Sequence, residues 1–130
     1  CNGTAKDKYK RIDAMPVNKY GFAYNQTDVS LVPLVSSIFT PFKSEIKLLE
    51  AAAHNNAAIV SDWLPYNTFP KEAAIWVKDE SDWFKAIRSF NNDKALREDK
   101  AAELSAYVNY NFDLNKWTTV RKQILRSVLA

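Results

Sequence analysis

The stretch Asp28-Val29-Ser30-Leu31-Val32-Pro33-Leu34, followed after a gap by Lys43-Ser44-Glu45-Ile46-Lys47-Leu48-Leu49-Glu50-Ala51-Ala52-Ala53-His54-Asn55-Asn56-Ala57-Ala58-Ile59-Val60-Ser61, decides the fold. Ser30 to Leu34 is an apolar run closed by Pro33, which predicts a buried strand. Ser36 to Phe42 is a loop broken by Pro41. Ser44 is placed to cap a helix whose buried stripe is Ile46, Leu48, Leu49 and Ala52 or Ala53. Asn55 stands where that helix should end in the left-handed conformation, which Asn tolerates. Ala57 to Val60 predicts a second buried strand. Strand, loop, helix, turn and strand form the unit at which open α/β sheets hold nucleotides. The helix amino terminus lies at the carboxyl ends of parallel strands and points free N–H groups at an anion. Lys43 adds a full positive charge there, and Glu50 lies two turns further into the helix.

Outward from this unit the pattern stays α/β. Residues 1–12 are polar and basic and read as a loop or an edge strand. Val17 to Gln26 predicts a short helix carrying Tyr20, Phe22 and Tyr24. Asp62 to Pro70 is an aromatic, proline-containing loop, and Ala73 to Val77 predicts a third short strand. From Ser81 the spacing turns helical. Ser81 is placed to cap a helix with Trp83, Phe84, Ile87 and Phe90 inward, broken at Asn91-Asn92. Lys94 to Asn111 predicts a second helix with Leu96, Ala101, Leu104, Tyr107 and Val108 on its apolar face. Asp113 caps a third, with Trp117, Val120, Ile124, Leu125 and Val128 at helical spacing. Lys116, Arg121, Lys122 and Arg126 are read onto its other side. Strands separated by a helix and then covered by helices imply a single α/β domain over residues 1–130, with a mainly parallel sheet.

Composition narrows the function classes. The chain has 130 residues, 47% of them hydrophobic, enough for one core. A net charge of +3 is too small to argue for nucleic acid, though it fits an anionic ligand or membrane surface. No run approaches the roughly 20 apolar residues of a membrane span, and no signal peptide is visible. One cysteine excludes an internal disulfide and fits a reducing cytoplasm. One histidine and one cysteine cannot build an ordinary zinc site, so no metal is expected. Glycine occurs only at Gly3 and Gly21. There is therefore no Gly-rich phosphate loop, and phosphate would have to be bound by a bare helix terminus.

The stretch also resembles a family. Asp28-Val29 to Pro33, then Glu50-Ala51, then Ala57 to Val60 are similar to the donor-binding half of retaining, two-domain (GT-B) glycosyltransferases of family 4. In that family an approach strand, an E-x7-E motif, an alanine-rich helix and a short strand follow one another. Phe39, Lys43, Ser44, Lys47 and Glu50 are similar to the F-N-x-x-K-S-x-x-K-x-x-E version of a polysaccharide-biosynthesis subgroup, and Pro65-Tyr66 to its loop ending. The resemblance covers about Ile12 to the carboxyl terminus. It implies a Rossmann-like three-layer domain with a helical C-terminal tail, half of a GT-B fold.

By this resemblance Glu50 accepts hydrogen bonds from the ribose hydroxyls of a UDP-, GDP- or ADP-sugar. Lys43 and Ser44 face the diphosphate, Glu45 and Lys47 complete the donor-binding set, and Phe42, Tyr66 and Tyr24 are candidates for the pocket wall. The reaction of the whole enzyme is transfer of a hexose to a saccharide or lipid-linked acceptor, without a metal. The N-terminal acceptor domain is expected outside these residues, and the chain alone is expected to be inactive. The family's first Glu falls on Phe42, its helix-ending Gly on Asn55 and its following Pro on Ala57. Its diphosphate-gripping Arg and Lys have no match in residues 1–12. A catalytic role for His54 is not implied, because the family's site histidine belongs to the other half.

Plainer readings stand beside these. Glu50 also suits an ordinary i,i+4 helix contact, Ser44 an ordinary cap, and the aromatic residues, Trp83 and Trp117 among them, a core. The basic face of residues 116–126 suits either solvent or a peripheral contact with anionic lipid at the inner face of a membrane. The rival to an enzyme half is a degenerate Rossmann-like domain serving as a non-catalytic interaction module.

Overall fold

The computed structural model describes residues 11–129. Most of the amino-terminal segment read as a loop or edge strand, residues 1–10, lies outside the described residues. The order is α1 (Val17–Tyr20), a 3-10 turn (Gly21–Gln26), β1 (Val29–Val32), a 3-10 turn (Thr40–Phe42), α2 (Ile46–Ala53) and β2 (Ala57–Ser61). Two further 3-10 turns (Tyr66–Thr68 and Lys71–Ala73), β3 (Ile75–Val77), α3 (Glu80–Asn92), α4 (Lys94–Asn111) and α5 (Leu114–Leu129) follow. The three strands form one parallel sheet in the order β1-β2-β3. The chain is therefore α/β with a parallel sheet and a helical C-terminal region, an arrangement compatible with a Rossmann-like fold.

β2 is the central strand, and its five residues are all buried. One face of the sheet, through Val32, Ala58 and Val60, packs with Leu48, Ala51 and Ala52 of α2 and with Leu104 of α4. The other, through Ala57, Ile59 and Val77, packs with Ala86 and Phe90 of α3. α4 serves both sides: Leu96 and Ala101 join the α3 cluster, whereas Leu104, Tyr107 and Val108 join the α2 cluster. Its cap is the one expected of an Asp before a helix. Asp93 Oδ1 accepts the Leu96 N–H at 2.9 Å.

The turn between α2 and β2 forms as the sequence predicts. Asn55 adopts φ 54°. The Asn55 N–H donates to the Ala52 carbonyl and the Asn56 N–H to the Ala51 carbonyl. These two bonds close a Schellman motif, which satisfies the last carbonyls of α2 and turns the chain into β2.

Several expectations are corrected. β1 is not a buried strand: among the described residues it is an edge, and Leu31 is 54% exposed. Ser44 does not cap α2; Glu45 occupies the cap position, with no side-chain bond. Ile46 is exposed, leaving Leu48, Ala51 and Ala52 as the buried residues of α2. β3 begins at Ile75, because Ala73 belongs to the preceding 3-10 turn. α3 starts at Glu80 with Asp79 as its cap residue, not at Ser81, and Phe84 and Ile87 face outward.

The largest correction concerns α5. None of its residues is buried, and Trp117, read as core, is 46% exposed. Arg121 is also misassigned to the polar side. It lies four residues after Trp117 and four before Leu125, so at 3.6 residues per turn it belongs to the apolar stripe. An amphipathic pattern records which side of a helix would be buried, not whether anything covers it.

Candidate functional site

β1 and β2 run parallel and are joined through α2, so the amino end of α2 returns to the carboxyl ends of the strands. The linking loop is folded by its own hydroxyls. Thr40 Oγ1 donates to the Val35 carbonyl at 2.6 Å, and the Ser37 and Thr40 hydroxyls share a bond of 2.8 Å. The Leu34 N–H donates to Ser61 Oγ at 2.8 Å, which ties the exit of β1 to the end of β2. Thr40 is buried as a result, while Val35, Ile38, Phe39 and Phe42 are pushed outward.

Glu50 is the centre of a polar cluster on one flank of α2. Its Oε2 accepts from the Tyr24 hydroxyl at 2.7 Å and from Lys47 Nζ at 2.8 Å. Lys47 Nζ also donates to the Tyr20 hydroxyl at 2.7 Å. The Tyr24 ring stacks on His54, with centroids 5.4 Å apart, and His54 Nδ1 bonds Asn25 Oδ1 at 2.7 Å. Asn56 Nδ2 reaches the Tyr24 carbonyl at 3.1 Å and Thr27 Oγ1 at 2.8 Å. α2 and the turn after it are thus fastened to residues 20–27 by hydrogen bonds between positions 26 to 32 apart in sequence.

Three ionisations are displaced in this cluster. Burial opposes the charge on Glu50, but the hydrogen bonds from Lys47 and Tyr24, aided by the charges of Lys47 and His54, hold its pKa below the usual carboxylate range. The bond to Glu50, then that to Tyr20, raises Lys47 against its own partial burial. Burial first, and then the Glu50 carboxylate, pushes the Tyr24 phenol far up. Glu50 is accordingly an ionised acceptor and Tyr24 a donor at neutral pH.

The predicted site residues fall into two groups. Glu50, Lys47 and Tyr24 come together as described. Lys43, Ser44 and Phe42 lie before α2 and are exposed, Phe42 at 86%. Glu45, half-buried, gives its carbonyl to the Leu48 and Leu49 N–H groups. Tyr66 is buried in the core; burial raises its pKa, with Glu45 adding and Lys47 opposing. Ser44 lies outside α2, two residues before its first residue, and Glu50 is the fifth residue of the helix.

Sequence reasoning named Tyr20 only beside Tyr24 on the Val17 to Gln26 segment and missed Asn25 and Asn56 as partners, which no local signal marks. It also missed Asp62, directly after β2, whose carboxylate is held by Lys71 at 2.6 Å and Lys78 at 3.6 Å. The bond from Lys71 holds its pKa down against partial burial, with Lys78 assisting. A lone Asp closing an apolar run was the available signal.

A cavity of about 210 Å3 opens at the strands' carboxyl ends, lined by Ser36, Ser37, Thr40, Pro41, Trp63 and Asn67 among others. It is smaller than the usual ligand cleft of roughly 300–1,000 Å3. Larger grooves lie elsewhere, at β1 and α3 and around Asn55 and Lys94. Among the described residues no group of His, Cys, Asp and Glu is placed to hold a metal ion. None of their helices is long and apolar enough to cross a membrane. No known protein family, curated protein or solved structure matches the chain.

Proposed function

We propose that this chain is the donor-binding half of a retaining hexosyltransferase, holding a nucleotide diphosphate sugar across the start of α2. The observation that carries the reading is the ionised Glu50 just over one turn into α2, behind the exposed Lys43 and Ser44, on a helix whose amino end meets the carboxyl ends of parallel strands. Both neighbours of Glu50 address Oε2, so Oε1 is the oxygen a ribose diol would take. Free N–H groups of the first turn, with Lys43, take the diphosphate and stabilise it as it departs. The exposed side chains Val35, Ile38, Phe39 and Phe42 border this end of the sheet. In this reading they meet the acceptor half, whose arrival encloses the ligand and makes transfer possible. α5 carries four basic residues and no acidic one, which suits a peripheral contact with anionic lipid.

The test is ligand-observed NMR of the chain with UDP, GDP, ADP and their hexose conjugates, repeated with Glu50→Gln. Selective binding of one nucleotide, weakened in the variant, is expected. Binding unaffected by Glu50→Gln would remove Glu50 from the site.

A second reading, a non-catalytic interaction module, is favoured by one observation. Phe42, which stands where the resembling family has its first Glu, is exposed beside further apolar side chains. Absence of nucleotide binding both by this chain and by a longer polypeptide that includes an acceptor half would favour it.

A further inference from the structure

We infer that α5 is a membrane-surface anchor: it lies along an anionic lipid leaflet, with its apolar half in the acyl boundary and its cations at the phosphates. This extends the lipid contact named with the proposed function and holds whether or not the chain binds a nucleotide. At about 100° per residue, Leu114, Trp117, Ile124, Leu125, Val128 and Leu129 fall on one half of the α5 circumference. All six are exposed, Trp117 at 46% and Val128 at 77%. Lys122 and Arg126 border that half on one side and Lys116 on the other, and Arg121 stands within it. α5 has 16 residues and is about 24 Å long, short of the roughly 30 Å hydrocarbon core of a bilayer. Its length and pattern suit lying on a leaflet, not crossing one.

Charge selects lipid as the occupant. Of the 18 basic residues of the chain four lie on α5, leaving 14 against 15 acidic residues, none of which is on α5. The positive excess of the whole chain is therefore concentrated on the helix whose apolar side is uncovered among the described residues. The ion pairs among those residues do not involve α5, so its counter-charge has to come from whatever covers it. Residues 1–10 carry three lysines and one aspartate and do not supply it. Arg121 narrows the choice further. A protein surface seated on the stripe would have to bury a carboxylate opposite Arg121 amid apolar contacts, which is costly. At a leaflet the phosphates lie just above the acyl carbons. The Arg121 stem can stay in the apolar layer while its guanidinium rises to a phosphate. Trp117 Nε1 already donates to the Asn111 carbonyl at 2.8 Å, so its ring can enter the acyl boundary without an unpaired donor.

Co-sedimentation of the chain with lipid vesicles is the experiment. Binding is expected on vesicles of equal parts phosphatidylcholine and phosphatidylglycerol, falling steeply with added salt. Vesicles of phosphatidylcholine alone should retain much less. Lys122→Gln and Arg126→Gln should each weaken binding about five-fold, and Leu125→Ser about ten-fold or more. Lipids brominated on their acyl chains should quench tryptophan emission, and Trp117→Phe should remove most of that quenching. Nucleotide titration of the same samples reads the donor site separately. No binding to the anionic vesicles at low salt would overturn the inference. So would equal binding to neutral vesicles, or binding that keeps its strength in Leu125→Ser and its quenching in Trp117→Phe, since the contact would then lie elsewhere on the chain.

Discussion

Replacing Glu50 by Gln isolates the charge at the centre of the cluster without changing its shape. The Lys47 bond joins a half-exposed pair three residues apart, at side-chain exposures of 45% and 26%. Exposure reduces its contribution to about 0.3–0.5 kcal/mol. Gln still accepts from Tyr24, but the partly buried bond loses its charge assistance, about 0.5–1 kcal/mol. The sum is about 1 kcal/mol at neutral pH, or about 3–6 °C in melting temperature for a chain of this size. The pH dependence fixes the assignment. Because folding lowers the Glu50 pKa, its contribution is fully present above the ordinary carboxylate pKa. It is lost as pH falls through that value to the folded one. The melting temperatures of Glu50→Gln and the unsubstituted protein should therefore converge in acid. Lys47 behaves in the opposite sense: its pKa is raised, so its contribution is present below the ordinary lysine value and lost as pH rises through the folded one. Differential scanning fluorimetry across pH reads both limbs. A gap that stays constant from neutral pH into acid would refute the ionised-acceptor account of Glu50.

Further substitutions probe the frame around the site. Leu48→Ala, at a fully buried position between sheet and α4, should cost about 2–5 kcal/mol in denaturant titration. Asn55→Val should cost about 1–2 kcal/mol, because a β-branched residue resists the left-handed φ of 54°, whereas Asn55→Gly should be close to neutral. Gly21→Ala would set a Cβ 3.2 Å from His54 Nε2, against a ring already stacked on Tyr24. A loss of about 1 kcal/mol is expected, relieved when His54→Ala is added. Leu125→Ser in α5 should shift stability by no more than about 0.5 kcal/mol, because that residue is exposed among the described residues. A larger shift in the isolated chain would mean that the stripe is packed.

What the sequence disclosed and what it withheld divide along a physical line. The passage from α2 to β2 was legible because it is governed by neighbours. Asn55 tolerates the left-handed turn, and the alanine run before it packs closely on the sheet. α4 was legible too, and the range read from its spacing, Lys94 to Asn111, is the range it adopts. Burial of β1 and of the α5 stripe was not legible. An apolar run shows that a segment gains by being covered, but covering is supplied by another element. Leu31 and Trp117 lack that element among the described residues. Boundaries slipped by one or two residues where several cap residues stood side by side, as at Ser44 and Glu45 and at Asp79 and Ser81.

The candidate site shows the same division more sharply. The position of Glu50 on its helix was readable, but its chemistry was not, because its ionisation is set by Tyr24 and Lys47 and the tyrosine lies 26 residues away. This has a consequence for ligand binding. A diol approaching Glu50 must either share the carboxylate with Tyr24 or displace the phenol from it. Sharing costs little, since the bond from Tyr24 falls on one oxygen. Displacement would leave a partly buried hydroxyl unpaired, at about 1–3 kcal/mol, and would weaken donor binding by up to about 100-fold. Tyr24→Phe separates the two. Under sharing it leaves nucleotide affinity unchanged or slightly lower, and under displacement it tightens binding while lowering stability. Tighter binding in Tyr24→Phe together with weaker binding in Glu50→Gln would identify Tyr24 as a group that holds the acid ready until the donor takes its place.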